Sequence, residues 1–304
     1  MFAKIFLERI TLKSVRNYLI ELQVIMKKYI FVACIGLFPA LSSFAEDPAN
    51  YLFAVVDPGR AFPIAIVQGT KFNDLRLSIV APKGAGVDFV DANLLHQAQE
   101  LYLYHDGGLL QHSAVDGVHI EAEAGCTSGE YVEFDAKQSK ATLATTNPAV
   151  MAQAAHSTLP DKVERQTSLR LAASLFRSKN LPIAVRMALL AAMKINALQV
   201  RDGDRKLLTF TSKVAKKDKV YVLLALAENS DKNAYKINYV EFYAGEDNST
   251  APGGSEYFDH LDLDGDGLTE IVYSYSGYEW WGFEVIKKIG LRWQLVHRQF
   301  VGGC

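Results

Sequence analysis

The sequence predicts an α+β protein that is mainly β, with antiparallel β regions on both sides of a central helical pair. Short apolar runs separated by turn sequences fill residues 46–150 and 199–304, as is typical of antiparallel sheets. Between them, residues 158–198 repeat apolar side chains at helical spacing. A third observation is the acidic run 262–270, which is followed by a β-rich segment instead of a helix.

Residues 1–45 are predicted to be a leader that ends in a signal peptide. Met26-Lys27-Lys28 is a short basic head, residues 29–41 are an apolar centre, and Ser43-Phe44-Ala45 offers small residues at both cleavage-determining positions. We therefore expect cleavage after Ala45 and a true start at Met26. The alternative for residues 1–25 is a basic amphipathic leader with a role of its own.

Two other interpretations of the apolar run are a retained membrane anchor and a lipid-modified Cys34. The run contains Pro39 and is shorter than the ~20 residues of a membrane span. Only five residues separate Cys34 from the lysine pair, so a cleaved signal peptide is favoured over both. The sequence predicts a periplasmic or secreted protein with no transmembrane span after cleavage.

Removal of the leader makes the chain more acidic. Residues 1–45 hold six of the 32 basic and two of the 34 acidic residues, so the formal net charge falls from −2 to −6. A chain of this charge without a basic stripe is not expected to bind nucleic acid.

The cysteines favour an oxidising compartment. Once Cys34 is removed with the leader, Cys126 and Cys304 remain as an even pair. We expect a disulfide between them, because a bridge across so long a loop restricts the unfolded chain strongly. Two unpaired thiols are the alternative.

Residues 46–150 are predicted to form an N-terminal β domain. Asp57-Pro58-Gly59 and Asp106-Gly107-Gly108 are turn sequences, and the second favours a hairpin. The predicted strands are 51–57, 63–68, 75–81, 100–105, 109–114, 117–122 and 131–135.

Residues 158–198 are predicted to form the helical pair. The first helix is expected over 158–178, with Thr158 as its cap and Asp161 three positions later. Asn180-Leu181-Pro182 separates it from a second, largely apolar helix at 182–198, which is expected to pack on a sheet.

Residues 199–304 are predicted to form a C-terminal β domain, with strands at 220–227 and 235–244. Within 199–211, Asp202-Gly203-Asp204 can be aligned with Asp264-Gly265-Asp266 at an offset of 62. This segment is either a decayed copy of the later loop, without a metal, or a chance Asp-Gly-Asp turn.

The run 262–270 has the composition of a calcium loop. Its acids alternate, Gly267 allows a sharp turn, and calcium takes six to eight hard oxygen ligands. It is not an EF-hand, because the twelfth position is Tyr273 and not Glu. A solvated acidic turn is the alternative. The predicted ligands are the side chains of Asp262, Asp264, Asp266 and Glu270 and the carbonyl of Leu268.

With its β-rich flank, the loop resembles the FG-GAP or VCBS type of repeat, in which an Asp-x-Asp-Gly-Asp-Gly-x-x-Asp/Glu loop joins two strands of a propeller blade. The resemblance covers a single copy at about 258–285, and Glu270 replaces the more usual Asp. It implies a propeller-blade-like unit near the C-terminus, with the predicted ligands on calcium.

The expected function is that of an exported calcium-binding protein: a non-catalytic binding or surface-interaction module in which calcium is structural. Its partner would be a glycan or another envelope or surface protein. No nucleophile elbow, zinc-protease helix or phosphate-binding loop occurs in the sequence. The alternative is a secreted hydrolase acting on glycans or cell-envelope material, with the aromatic run 277–283 as a platform for sugar rings. Burial of this run between strands is favoured over such a platform.

Overall fold

The structure, a computed structural model, describes residues 49–75, 99–120, 130–135, 140–147, 157–199, 206–229, 234–248 and 251–303. These residues form sixteen strands and two helices, and every strand pairing between them is antiparallel. The prediction of a mainly β protein with antiparallel sheets is therefore confirmed. Contacts join Ala49–Cys304 into one compact unit.

The N-terminal region is a six-stranded barrel. Its strands follow the order β1-β7-β4-β5-β6-β2, and pairing of β1 with β2 closes the ring, while β3 extends β2. The sheet can curve this far because bulges interrupt the registers of three hairpin pairs. The strands are β1 Asn50–Asp57, β2 Arg60–Gln68, β3 Lys71–Asn73, β4 Glu100–His105, β5 Gly108–Ile120, β6 Glu130–Phe134 and β7 Leu143–Thr145.

The strand alternation of the barrel divides its apolar residues into two sets. Phe53, Leu101 and Leu103 belong to a cluster made of N-terminal residues alone, which fills the barrel. Leu52 and Ile64 belong to a second cluster that continues into the C-terminal region. Neighbouring residues of one strand therefore stabilise two different cores.

Several local predictions for this region can be compared with the strands. The turn at Asp57-Pro58-Gly59 and the hairpin at Asp106-Gly107-Gly108 are confirmed. The strands predicted at 109–114 and 117–122 belong, as far as residue 120, to one strand, β5. It pairs with β4 over 108–114 and with β6 over 115–120, with a bulge between Val115 and Gly117. Residues 76–81 of another predicted strand lie outside the described residues.

Two helices lie between the β regions, α1 Lys162–Ser178 and α2 Ile183–Ala191. The predicted cap of the first helix is wrong: Thr158 belongs to β8, and Asp161 is the cap. The Glu164 N–H donates to Asp161 Oδ1, and the Asp161 N–H donates to Glu164 Oε2, both at 2.8 Å. This reciprocal pair is a capping box, one turn later than expected.

We expect Asp161→Ala to lower the free energy of unfolding by about 1 kcal/mol, because one N–H of the first helical turn loses its acceptor. Thr158→Ala is the matched control, since its hydroxyl makes only a 3.4 Å contact with the Ala197 carbonyl. Urea denaturation of both variants measures the difference. An equal loss in both would show that the cap contributes nothing specific.

The second predicted helix, 182–198, is too long. α2 ends at Ala191, and Lys194–Gln199 forms the strand β9. The apolar residues of 194–199 suit either period, and pairing of β9 with β10 from Lys194↔Thr211 to Gln199↔Lys206 decides the outcome. The last part of the segment predicted as a helical pair, 158–198, therefore belongs to a β-sheet.

A five-stranded sheet in the order β12-β11-β10-β9-β8 carries the two helices on one face. Phe176 and Leu189 of the helices join Leu208, Phe210 and Leu223 of the sheet in one buried cluster. Its strands are β8 Ser157–Thr158, β9 Lys194–Gln199, β10 Lys206–Lys216, β11 Lys219–Asn229 and β12 Tyr235–Glu246.

A four-stranded meander follows, in the order β13-β14-β15-β16. Val285 packs with the barrel residues, whereas Ile286 packs with Leu224 of the five-stranded sheet. The meander is therefore a middle layer that is covered on both faces. Its strands are β13 Gly254–Leu261, β14 Glu270–Ser276, β15 Trp280–Ile289 and β16 Arg292–Gly303.

Neither helix of the described part of the chain is both long and apolar enough to cross a membrane.

Candidate metal centre

The acidic run lies in the connection between β13 and β14, which is closed by the pair Leu261↔Glu270. Gly265 and Gly267 have φ values of +75° and +90°, a backbone conformation that side chains other than glycine rarely adopt. The glycines therefore let the chain turn twice within nine residues, as the sequence pattern predicts.

Hydrogen bonds within the loop orient the acids. The Gly267 N–H donates to Asp262 Oδ2 at 3.0 Å, and the Leu263 N–H donates to Glu270 Oε2 at 2.7 Å. The Leu268 N–H donates to Asp266 Oδ1 at 2.8 Å. Backbone donors thus hold one oxygen of each of these three carboxylates and fix the orientation of the side chains within the loop.

Three of the predicted ligands converge. Asp262, Asp264 and Glu270 each offer an oxygen, and these oxygens all lie within 4.8 Å of one another. Calcium–oxygen distances are about 2.3–2.6 Å, so oxygens this close can share one ion. Asp266 lies outside this trio, and its side chain is 25% exposed. For Leu268, the hydrogen bond described is the one that its N–H donates to Asp266, and it does not involve the carbonyl that was predicted as a ligand.

The sequence did not indicate the cationic partner of the loop, Lys287 on β15. Its ammonium contacts Asp264 at hydrogen-bonding distance, and it lies 2.7 Å from Asp266 Oδ2 and 3.5 Å from Glu270 Oε1. The side chains of Asp264 and Glu270 are fully buried at this point. An ammonium ion thus contacts two of the three converging acids.

A signal for Lys287 does exist in the sequence. Phe283, Val285 and Lys287 alternate along β15, and the first two belong to the buried cluster shared with the barrel. A lysine that continues a buried apolar face needs a carboxylate partner. The alternation alone, however, does not say which acids in the chain supply that partner.

The electrostatics of the centre show an excess of negative charge. Burial, with a further contribution from Asp264, raises the pKa of Glu270 to about 9. Burial likewise raises the pKa of Asp262. Burial alone would lower the pKa of Lys287, but its hydrogen bonds to Asp264 and Asp266 raise it above the ordinary value. Four carboxylates face one ammonium, so protons or a further cation must balance the rest.

Glu270 supplies an independent indication of a cation site. Its Oε1 is buried and accepts no hydrogen bond from the described residues. A buried carboxylate oxygen without a donor is costly, and a metal ion is one way to satisfy it. The donor set consists of oxygens alone, which suits hard cations such as calcium or magnesium.

A second set of possible metal ligands consists of Asp106, Asp259 and His260, whose ligand atoms lie within 4.8 Å of one another. Asp259 accepts hydrogen bonds from the N–H groups of Asp106, Gly107 and His260, at 3.1, 3.2 and 2.7 Å, and from the Thr142 hydroxyl. Both of its oxygens are therefore satisfied by protein donors. We interpret this group as a junction between the barrel hairpin and the meander, not as a metal site.

Three sequence predictions fall outside the described residues. They are the leader at 1–45, the disulfide between Cys126 and Cys304, and the acidic part of the repeat at 199–211, Asp202-Gly203-Asp204. They stay predictions.

Comparison of the chain with protein-family models, with curated proteins and with solved structures gave no match.

Proposed function

We propose that the chain is an exported calcium-binding protein, periplasmic or secreted, that acts as a non-catalytic binding or surface-interaction module with a structural calcium. The observation that carries the proposal is the convergence of Asp262, Asp264 and Glu270 on one point. In this proposal Asp266 and the carbonyl of Leu268 complete the oxygen ligands. Calcium would supply positive charge and fix the β13–β14 connection.

We also propose that the meander is a propeller-blade-like unit of the FG-GAP or VCBS kind. Two features support this: the meander has four antiparallel strands, and its acidic loop joins the first two of them. A single such sheet requires other layers to cover its faces, and here the barrel and the five-stranded sheet do so.

Calcium and Lys287 compete for the same oxygens in this proposal. The ammonium already neutralises part of the charge on Asp264 and Glu270. A divalent ion held by these acids would take over that role and displace the ammonium from their oxygens. The affinity for calcium is therefore reduced by the free energy of breaking those contacts.

The test is thermal unfolding of the full chain with excess calcium and with a chelator. At a calcium concentration about 100 times Kd, we expect the midpoint to rise by roughly 5–10 °C, because binding to the folded state alone stabilises it. An Asp264→Asn, Asp266→Asn double variant should lose this rise. Asp247→Asn, at an exposed position outside the loop, is the matched control. No response in the wild type would reduce the loop to an acidic turn neutralised by Lys287.

A hydrolase acting on glycans or cell-envelope material is the second candidate, favoured by one observation. Arg298 Nη2 lies 2.5 Å from Glu284 Oε1 and 3.5 Å from Glu241 Oε2, so these two oxygens are no more than about 6 Å apart. Glycosidases use carboxyl pairs at comparable separations. Burial raises the pKa of Glu284 although Arg298 opposes the rise, as a general acid requires. The shared arginine favours binding over catalysis, because it neutralises both carboxylates.

A further inference from the structure

The two carboxylates of this pair line a cleft between β12 and the meander. It consists of two adjoining cavities of about 560 and 350 Å³, which share Gly254, Ser255, Tyr275 and Ser276. The cleft faces the five-stranded sheet, whereas Lys287 and the acidic loop lie on the barrel side of the meander, since Glu284 and Lys287 differ in parity along β15. It is therefore a separate site from the metal centre.

The polar part of the cleft is a built array of donors and acceptors. Glu284, whose side chain is 2% exposed, and Glu241 both bond to Arg298. The Tyr239 hydroxyl donates to Glu241 Oε1 at 2.6 Å. Acceptor and donor groups therefore alternate across a short distance. The side chains of Glu241 and Arg298, 38% and 47% exposed, are the members of the array that a ligand can reach.

An aromatic wall stands beside this array. The rings of Tyr275 and Trp280 lie 5.3 Å apart, and the Arg298 guanidinium lies 5.4 Å from the Tyr275 ring centre. Gly277 makes room for Trp280, since a Cβ there would lie 1.9 Å from the indole. A Cβ on Gly282 would lie 2.0 Å from the Gln299 carbonyl oxygen and 2.9 Å from the Tyr275 ring. Trp280 keeps part of its surface accessible. Tyr275 is thus buried and holds Trp280, whose indole is the ring that a ligand in the cleft can contact.

The charges of the cleft cancel. The larger cavity is lined by Glu241, Glu284 and Arg298, and the smaller one by Lys194, Lys213 and Glu256. The formal charges of −1 and +1 sum to zero, so the cleft as a whole has no net charge that would favour an anionic or a cationic ligand. An apolar ligand would leave the buried polar array without partners. The cleft therefore suits a neutral ligand with many polar groups.

We propose that this cleft binds a neutral oligosaccharide. A sugar hydroxyl both donates and accepts, so it can bridge a glutamate acceptor and an arginine donor. The apolar C–H face of a pyranose ring can stack on the partly accessible indole of Trp280, which Tyr275 supports from the buried side. The inference rests on the proposed function in that it supplies the ligand of the binding module.

The experiment is calorimetric titration of the full chain with maltotetraose, cellotetraose and tetra-N-acetylchitotetraose. We expect saturable binding of at least one of these sugars. Trp280→Ala should abolish it, and Glu241→Gln should weaken it about 10- to 100-fold, since a hydrogen bond to a charged acceptor is lost. Circular dichroism of each variant verifies that it is folded.

Matched controls lie close to both positions. Tyr278, 74% exposed, is two residues from Trp280, and Glu246 is an exposed acid on the same strand as Glu241. Tyr278→Ala and Glu246→Gln should bind the sugar like the wild type. Absence of binding to all three sugars, or binding that Trp280→Ala and Glu241→Gln leave unchanged, would overturn the inference.

The same titration separates this inference from the calcium proposal. If the chain binds a sugar but its unfolding does not respond to calcium, the proposal of a sugar-binding cleft is supported and the proposal of a structural calcium is contradicted. A calcium response without sugar binding would do the reverse. Chromatography of the sugars after incubation adds a third outcome: cleavage would support sugar recognition in the cleft but favour the hydrolase over the non-catalytic module.

Discussion

Lys287→Met is expected to lower the free energy of unfolding in chelator by about 3–5 kcal/mol, because the loop acids lose their one described cationic partner while they remain buried. Methionine retains the apolar stem of the side chain, so the loss reports the charge and not a cavity. Excess calcium should restore much of the loss and give a larger increase in midpoint than in the wild type, since the competing ammonium is gone. Thermal or urea unfolding with calcium and with chelator measures both effects.

The neighbouring residue is the matched control. Lys288 lies on the same strand but on its other face, where it pairs with the buried Glu228. Lys288→Met should also destabilise the chain, but equally with and without calcium. If Lys287→Met behaved in the same calcium-independent way, the ammonium and the metal would not share ligands, and the competition proposed above would be wrong.

Asp259→Asn is expected to lower the free energy of unfolding by about 2–4 kcal/mol. The carboxylate accepts backbone bonds from the Asp106-Gly107 turn and from His260, and a hydroxyl bond from Thr142. An amide can turn only one oxygen toward these donors, so at least one buried N–H faces another donor. Because the turn belongs to the barrel and Asp259 to the meander, the substitution weakens the junction between these layers.

This carboxylate should also contribute to the pH dependence of stability. Burial alone would raise the pKa of Asp259, but its hydrogen bonds with His260 and Thr142 lower it below the ordinary value. A lowered folded-state pKa contributes stability that is complete above the unfolded value, about 3.9, and is lost as the pH falls from there through the folded value. Unfolding free energies measured from pH 6 to pH 2 should decline less steeply in Asp259→Asn than in the wild type.

Glu256→Gln serves as the control for this pair of measurements. Glu256 lies on the same strand, but its side chain is 63% exposed in an ion pair with Lys194. Exposed pairs contribute little, so the variant should keep both the stability and the acid limb of the wild type. An acid limb in Asp259→Asn as steep as in the wild type would assign acid unfolding to other carboxylates.

The sequence predicts what short-range chemistry determines. The turns at Asp57-Pro58-Gly59 and Asp106-Gly107-Gly108 depend on adjacent residues and were predicted correctly. The loop glycines and three converging acids likewise lie within nine residues of one another. The cap at Asp161 was missed by one turn, because Thr158 also satisfies the local pattern and only pairing of β8 with β9 excludes it.

Long-range pairing accounts for the rest. The barrel closes when residues near position 144 insert between β1 and β4, a contact for which the sequence has no local signal. Lys287 lies beside the acidic loop because β15 pairs with β14 in a particular register. Arg298 of the meander contacts Glu284 of the same sheet and Glu241 of the five-stranded sheet. Within the aromatic run, Trp281 packs against Phe62 of the barrel, whereas Trp280 packs against Tyr275 and lines the larger cavity of the cleft. The two-residue periodicity of a strand indicates that adjacent side chains point to opposite faces of the sheet, but it does not indicate what packs against each face.

The position of the meander between two other layers has a consequence for sequence variation. Seven consecutive residues of β15, 282–288, are buried. Alternate side chains pack against the barrel and against the five-stranded sheet. A new side chain at any of these positions must therefore pack against either the barrel or the five-stranded sheet. None of the seven positions is at the surface, where side chains of many sizes are tolerated. The exposed end of the strand, from Ile289 to Leu291 in the following turn, tolerates a wider choice of side chains. The acidic loop and the cleft border opposite faces of this strand, so a shift of its backbone would alter both.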